Sequence, residues 1–214
     1  MAVNAKGEEI TSIWTPANII TCVRIVFIPL FMLLSEWSFA QAGAGWRAGA
    51  ESGGMLAAIA FALYLLLSLT DKVDGDLARK RGEVTDFGKF LDPIADKLLV
   101  FSALLILLEH GLVNVWFVFI IMFREFLVSA LRMVASANGE VIAADKLGKA
   151  KTAVTMVALC AYLLAIAVVL FGMAGGAVDM LLLVADALMI AAVVLTVVSG
   201  AQYFWNARHV IFRV

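Results

Sequence analysis

The sequence predicts an all-α, polytopic membrane protein of six transmembrane helices, with an interfacial helix at its N-terminus. Three observations lead there. The 214 residues are 64% hydrophobic and their mean hydropathy is +1.00, far above the range of soluble domains. The apolar residues gather in runs suited to membrane helices, separated by short polar stretches. With six helices, every Lys and Arg except Arg47 falls in the termini or towards one side, the bias of a chain with its basic side in the cytoplasm. The net charge of −1 gives no basic balance that would suit nucleic acid.

Residues 1–17 read as a juxtamembrane segment and residues 18–214 as one six-helix domain. Met1 to Glu9 is polar and lacks the basic start of a secretory signal, so no cleavage is expected. Ile10, Ile13 and Trp14 share a helical face that suits the membrane interface. The first membrane helix is expected from about Asn18 to Leu34. Arg24 lies inside it and either snorkels to the surface or faces an anionic site. Residues 35–54, rich in Gly, Ala and Ser, read as a loop carrying Trp37 and Trp46. The second helix runs from Met55 to Thr70 and continues into a charged stretch. The third runs from near Gly88 to Leu108, with Pro93 in its first two turns. A turn at Glu109-His110-Gly111 leads to a fourth helix, Leu112 to Ala137. The fifth is expected over Ala153 to Phe171 and the sixth over Val178 to Ala201. Asp186 is an acid inside the sixth helix that no motif claims. Tyr203, Phe204 and Trp205 form an aromatic anchor before Arg208 and Arg213. Cys22 and Cys160 sit in apolar runs as small core residues.

The chain is organised around residues 71–96, where carboxylates concentrate in a sequence otherwise poor in charge. If both halves of this stretch are helical, Asp71, Asp74, Gly75 and Ala78 fall within about 100° on the first helix. Gly88, Asp92 and Asp96 fall within about 80° on the second. An antiparallel arrangement brings Asp71 level with Asp96 and Asp74 level with Asp92. Four converging carboxylates need compensating charge, and oxygen-only ligands select hard divalent ions such as Mg²⁺ or Mn²⁺. Two such ions suit phosphoryl transfer. The small residues let a phosphorylated group approach the backbone. The apolar part of the third helix, Leu98 to Leu108, covers only about 16 Å of a hydrocarbon core about 30 Å thick. The carboxylates therefore belong at or slightly below one membrane surface, where a lipid headgroup and a water-soluble reactant can meet.

Asp71-x-x-Asp74-Gly75-x-x-Ala78-Arg79, eight residues, then Gly88-x-x-x-Asp92-x-x-x-Asp96 resembles the signature of the CDP-alcohol phosphatidyltransferases at every fixed position. Asn18-Ile19-Ile20-Thr21-x-x-Arg24 followed by Pro29 is similar to the opening of the phosphatidylglycerophosphate synthase branch. That branch usually has Pro directly before the Asn; here Ala17 intervenes after Pro16. Arg124-Glu125-x-x-x-Ser129-x-x-Arg132 with Gly148-Lys149-x-Lys151-Thr152 also resembles that branch, which often has Gln where this chain has Thr155.

The resemblance implies transfer of a phosphatidyl group from CDP-diacylglycerol to sn-glycerol 3-phosphate at the cytoplasmic face of the cell (inner) membrane. It implies two Mg²⁺ or Mn²⁺ ions held by Asp71, Asp74, Asp92 and Asp96, with Asp96 also the general base. Asn18, Thr21, Asp74, Gly75, Ala78, Arg79 and Gly88 would receive CDP-diacylglycerol, and a homodimer is expected. Arg124, Arg132, Lys149 and Lys151 suit the phosphate of the acceptor. The competing reading of those cations is membrane-surface charge, or ordinary pairing with neighbours. Inositol phosphate, serine and phosphatidylglycerol remain alternative acceptors. A cation transporter with an acidic pathway is the alternative from another class; against it, the acids cluster at one surface.

Overall fold

The computed structural model describes residues 14–43, 46–48, 53–81, 85–137, 146–173 and 175–211; at 48, 71–81, 86, 89, 137, 146 and 209–211 the description covers the backbone alone. The described residues form six α-helices and one short 3-10 turn, with no strand among them. They divide into two compact units, Met1–Ile106 with Ile166–Ala174, and Leu107–Ala165 with Gly175–Val214.

In the first unit, α1 spans Pro16–Ala42, α2 spans Gly54–Arg81, and most of α3, Asp86–Glu109, follows. Thr15 caps α1: its Oγ1 accepts from the Asn18 amide at 3.3 Å, and Pro16 occupies the first helical position, where its missing N–H is harmless. The helix runs eight residues past the expected end at Leu34. Its two serines there do not break it, because each hydroxyl donates back into the helix. Ser35 reaches the Phe31 carbonyl at 2.9 Å and Ser38 the Ser35 carbonyl at 2.6 Å. Glu36, Ala40, Gln41 and Ala42 are good helix formers. The stop comes at Gly43, with φ 71°. The expected loop over 35–54 is thus half helix, and Trp46 in the 3-10 turn Trp46–Ala48 packs edge-on against Phe39 at 5.1 Å.

α2 begins where two backbones touch. A Cβ on Gly54 would stand 2.6 Å from the carbonyl oxygen of Leu170, so only glycine fits. α1 packs against α2, and Phe31 meets Tyr64 with ring centroids 5.3 Å apart. Ala57, Ala60, Ala95 and Ala103 are buried with Leu67 and Leu99, the small-residue composition that lets membrane helices approach closely.

The second unit holds α4, Val115–Ala137, α5, Lys146–Leu170, as far as Ala165, and α6, Gly176–Ile211. α4 starts three residues after its expected start at Leu112. Gly111 takes φ 66°, and Asn114 Oδ1 accepts from the Trp116 amide at 2.9 Å. α5 starts at Lys146 rather than Ala153, so its first two turns carry the lysines expected in a loop. α6 runs through Tyr203–Trp205, making the aromatic anchor part of the helix; the Arg208 guanidinium lies 3.9 Å over the Trp205 ring. α4 packs against α6. Tyr162 donates its hydroxyl to Asp186 Oδ1, which gives the acid inside α6 a partner on α5.

Among the described residues, three helices are long and apolar enough to cross a membrane: Pro16–Ala42, Leu147–Leu170 and Gly176–Arg208. The other three expected spans carry charge within the helix. The apolar part of α2 ends at Thr70. α3 opens with Asp86, Lys89, Asp92, Asp96 and Lys97, and α4 holds Arg124, Glu125 and Arg132. Large apolar side chains stand exposed on α1 (Val26, Leu33), α4 (Phe119, Phe123) and α6 (Leu183, Val194), as lipid-facing surfaces do.

Candidate active site

The carboxylates of α3 are held by α1. Asp92 and Asp96 lie one turn apart on α3 and both are exposed. Thr21, buried on α1, donates its hydroxyl to Asp92 Oδ1 at 2.9 Å and also lies 3.1 Å from the Ala17 carbonyl oxygen. Arg24, one turn further on, places Nη1 3.2 Å from Asp96 Oδ1. Arg24 is 1% exposed and Asp96 49%. The cation is therefore fixed by packing and the carboxylate projects outward from it. Of the two roles open to Arg24 in the sequence, the anionic partner is the one formed.

One turn before Thr21, Asn18 belongs to the same stripe. Its Nδ2 donates to Thr85 Oγ1 at 2.7 Å, and the Gly88 amide donates to the same oxygen at 3.0 Å. Thr85 thus caps the first turn of α3 while gripping α1. A Cβ on Gly88 would come 2.5 Å from Asn18 Oδ1, so the glycine of the motif is where α1 and α3 touch. The signal for Thr85 in the sequence is a capping residue type directly before Asp86 in the first turn of α3.

Two exposed carboxylates on one face, each oriented through Oδ1, are a hard-oxygen donor set that fits Mg²⁺ or Mn²⁺. Among the described residues no three acidic, His or Cys side chains gather into a metal-ligating group. Asp71, Asp74, Gly75, Ala78 and Arg79 lie on the helical backbone of α2. Their side chains fall outside the described residues, and with them the expected four-carboxylate convergence.

In the second unit the basic residues of α4 and α5 separate into distinct settings. Glu125 Oε1 accepts from Lys151 Nζ, and from Arg124 Nη1 at 3.1 Å. Arg124 Nη2 also donates to Ser199 Oγ on α6 at 3.2 Å. Lys151 is buried. Small residues clear the way for Arg124: a Cβ on Gly200 would come 3.0 Å from its Cγ, and one on Gly148 3.5 Å from its Nη2. Arg132 is exposed; its Nε donates to the Tyr203 hydroxyl at 3.3 Å, and its guanidinium lies 5.5 Å from that ring's centroid. Lys149 is exposed. Of the four cations expected at the acceptor phosphate, Arg124 and Lys151 are brought together around Glu125, while Arg132 and Lys149 stand at the surface.

These features define an all-helical protein with helices long and apolar enough to cross a membrane and with two exposed carboxylates one turn apart on its third helix. The chain belongs to the CDP-alcohol phosphatidyltransferase family, whose profile matches residues 14–198. It is 44% identical over 151 residues to the CDP-diacylglycerol--glycerol-3-phosphate 3-phosphatidyltransferase of Bacillus subtilis (strain 168), covering 69% of this chain and 75% of that protein. It is 38% identical over 151 residues to the probable phosphatidylglycerophosphate synthase of Mycobacterium tuberculosis (strain ATCC 25618 / H37Rv), covering 71% of this chain and 66% of that one. With the CDP-diacylglycerol--glycerol-3-phosphate 3-phosphatidyltransferase of Cereibacter sphaeroides it shares 34% identity over 149 residues, 68% of this chain and 62% of the relative.

Proposed function

We propose that the protein transfers a phosphatidyl group from CDP-diacylglycerol to sn-glycerol 3-phosphate, giving phosphatidylglycerophosphate and CMP. The observation that carries this is the 44% identity to a relative named for that activity, in a chain holding the complete Asp71-to-Asp96 motif. A P–O bond forms between the acceptor hydroxyl oxygen and the phosphatidyl phosphorus. The pyrophosphate P–O bond to CMP breaks, CMP leaves with that electron pair, and the hydroxyl proton passes to Asp96. Asp71, Asp74, Asp92 and Asp96 would hold two divalent cations, which would neutralise charge at the pyrophosphate. The outward-facing Asp92 and Asp96 support that assignment, since both stay accessible while anchored from behind.

Asp74, Gly75, Ala78, Arg79 and Gly88 are assigned to the CDP-diacylglycerol side of the reaction, with Asn18 assisting. Arg124, Arg132, Lys149 and Lys151 are assigned to the acceptor phosphate; a guanidinium beside an ammonium suits a phosphate dianion. We assign the ions as Mg²⁺ or Mn²⁺ and place the site and both termini at the cytoplasmic face of a six-span, homodimeric protein in the cell (inner) membrane. The test is CMP release by purified protein given CDP-diacylglycerol and Mg²⁺, with candidate acceptors added singly. Release with glycerol 3-phosphate, lost in Arg124→Gln through a raised KM for that acceptor, is the expected result. Release with inositol phosphate, serine or phosphatidylglycerol instead overturns the acceptor. Metal uptake with no CMP release by any acceptor would favour a transporter.

A further inference from the structure

The Asn18, Thr21 and Arg24 side chains stand at every third position of α1, and all three meet α3. Asn18 reaches the Thr85 cap beside Gly88, Thr21 reaches Asp92, and Arg24 reaches Asp96. The three contacts advance together along the two helices, over about 9 Å of α1. Asn18, Thr21 and Arg24 are buried, and Asp92 and Asp96 are exposed. Burial locks the rotamers of the donors, so the donors set the direction in which the carboxylates point. A hydroxyl donated to one oxygen of Asp92 and a guanidinium N–H donated to one oxygen of Asp96 fix the rotation of each carboxylate about its Cβ–Cγ bond.

We infer that Thr21 and Arg24 are positioning residues for a divalent-cation site, acting through Asp92 and Asp96 rather than by contacting CDP-diacylglycerol. Asn18 sets the register of the same stripe through Thr85. The inference rests on the cation reading of these two aspartates and changes the expected assignment of Thr21. Groups that orient a ligating carboxylate from behind govern metal affinity about 10- to 100-fold. They do so before any substrate arrives. Arg24 also places a buried positive charge beside Asp96, which offsets the repulsion between neighbouring carboxylates.

The test measures Mn²⁺ binding by electron paramagnetic resonance, on full-length protein in detergent without substrates. The variants are Thr21→Val, which keeps the shape and removes the hydroxyl, Thr21→Ser, which keeps the hydroxyl, and Arg24→Lys. Thr21→Val should weaken Mn²⁺ binding about 10-fold or more, and Thr21→Ser should restore it. Arg24→Lys, which keeps the charge and loses the planar fork, should weaken binding by a smaller factor. At saturating Mn²⁺ the KM for CDP-diacylglycerol should stay at the wild-type value in Thr21→Val. An unchanged Mn²⁺ affinity in Thr21→Val, with a raised KM for CDP-diacylglycerol, would overturn the inference and return Thr21 to the substrate. If Thr21→Val does not fold, equal Mn²⁺ affinity in Arg24→Lys and wild type overturns it. Wild-type protein that binds no Mn²⁺ would instead refute the cation reading itself.

Discussion

Replacing Lys151 with Met tests whether the cluster on α4 and α5 is one electrostatic unit. The Lys151 side chain is 7% exposed and that of its partner Glu125 19%. Met fills a similar volume and removes the charge. Breaking a buried ion pair by deleting one partner costs about 3–5 kcal/mol, because the remaining charge is left uncompensated. Here the remaining charge is not alone. Arg124 Nη1 still lies 3.1 Å from Glu125 Oε1, and partial exposure lets water reach the carboxylate. The expected loss is therefore about 1–3 kcal/mol. Adding Glu125→Gln removes the stranded charge, so the double variant should be more stable than the sum of the single losses by about 1–2 kcal/mol. Unfolding of each detergent-solubilised variant, followed by tryptophan fluorescence, closes the cycle. Single losses that add to within about 0.5 kcal/mol would refute the coupling and leave Lys151 a lysine that merely lies near Glu125.

Gly54→Ala should destabilise the first unit by about 1–3 kcal/mol, read as a lower thermal midpoint. Its Cβ meets the main-chain oxygen of Leu170 at 2.6 Å, which cannot swing aside as a side chain can. Tyr162→Phe should cost about 1 kcal/mol of stability through the lost hydrogen bond to Asp186, with kcat for CMP release unchanged. Chelation with EDTA should stop CMP release and Mg²⁺ or Mn²⁺ should restore it; turnover that survives exhaustive chelation would contradict the cation role of Asp92 and Asp96.

Helix number, order and approximate positions were legible because apolar runs and charged breaks are local signals. The motif was legible for the same reason: Asp92 and Asp96 fall one turn apart by spacing alone, and the structure has them on one helix. The ends of α1, α5 and α6 were not. Ser35 and Ser38 look like loop residues until their hydroxyls are seen to bond the preceding turn. The lysines of α5 look like a loop because charge, rather than helix propensity, dominates the reading there. Pairings across the sequence left no periodic trace. Thr21 with Asp92, Arg24 with Asp96 and Arg124 with Ser199 join residues more than 70 positions apart. Asp186 was visible as an anomaly, but its partner Tyr162 was hidden as one more aromatic in an apolar helix.

The central claim is the reaction itself, and incorporation of radiolabelled sn-glycerol 3-phosphate into lipid tests it most directly. Purified protein with CDP-diacylglycerol and Mg²⁺ should convert the label to a chloroform-soluble phospholipid with one CMP released per molecule, and Asp92→Asn should abolish both. Folded wild-type protein that releases CMP yet leaves glycerol 3-phosphate in the aqueous phase would contradict the account.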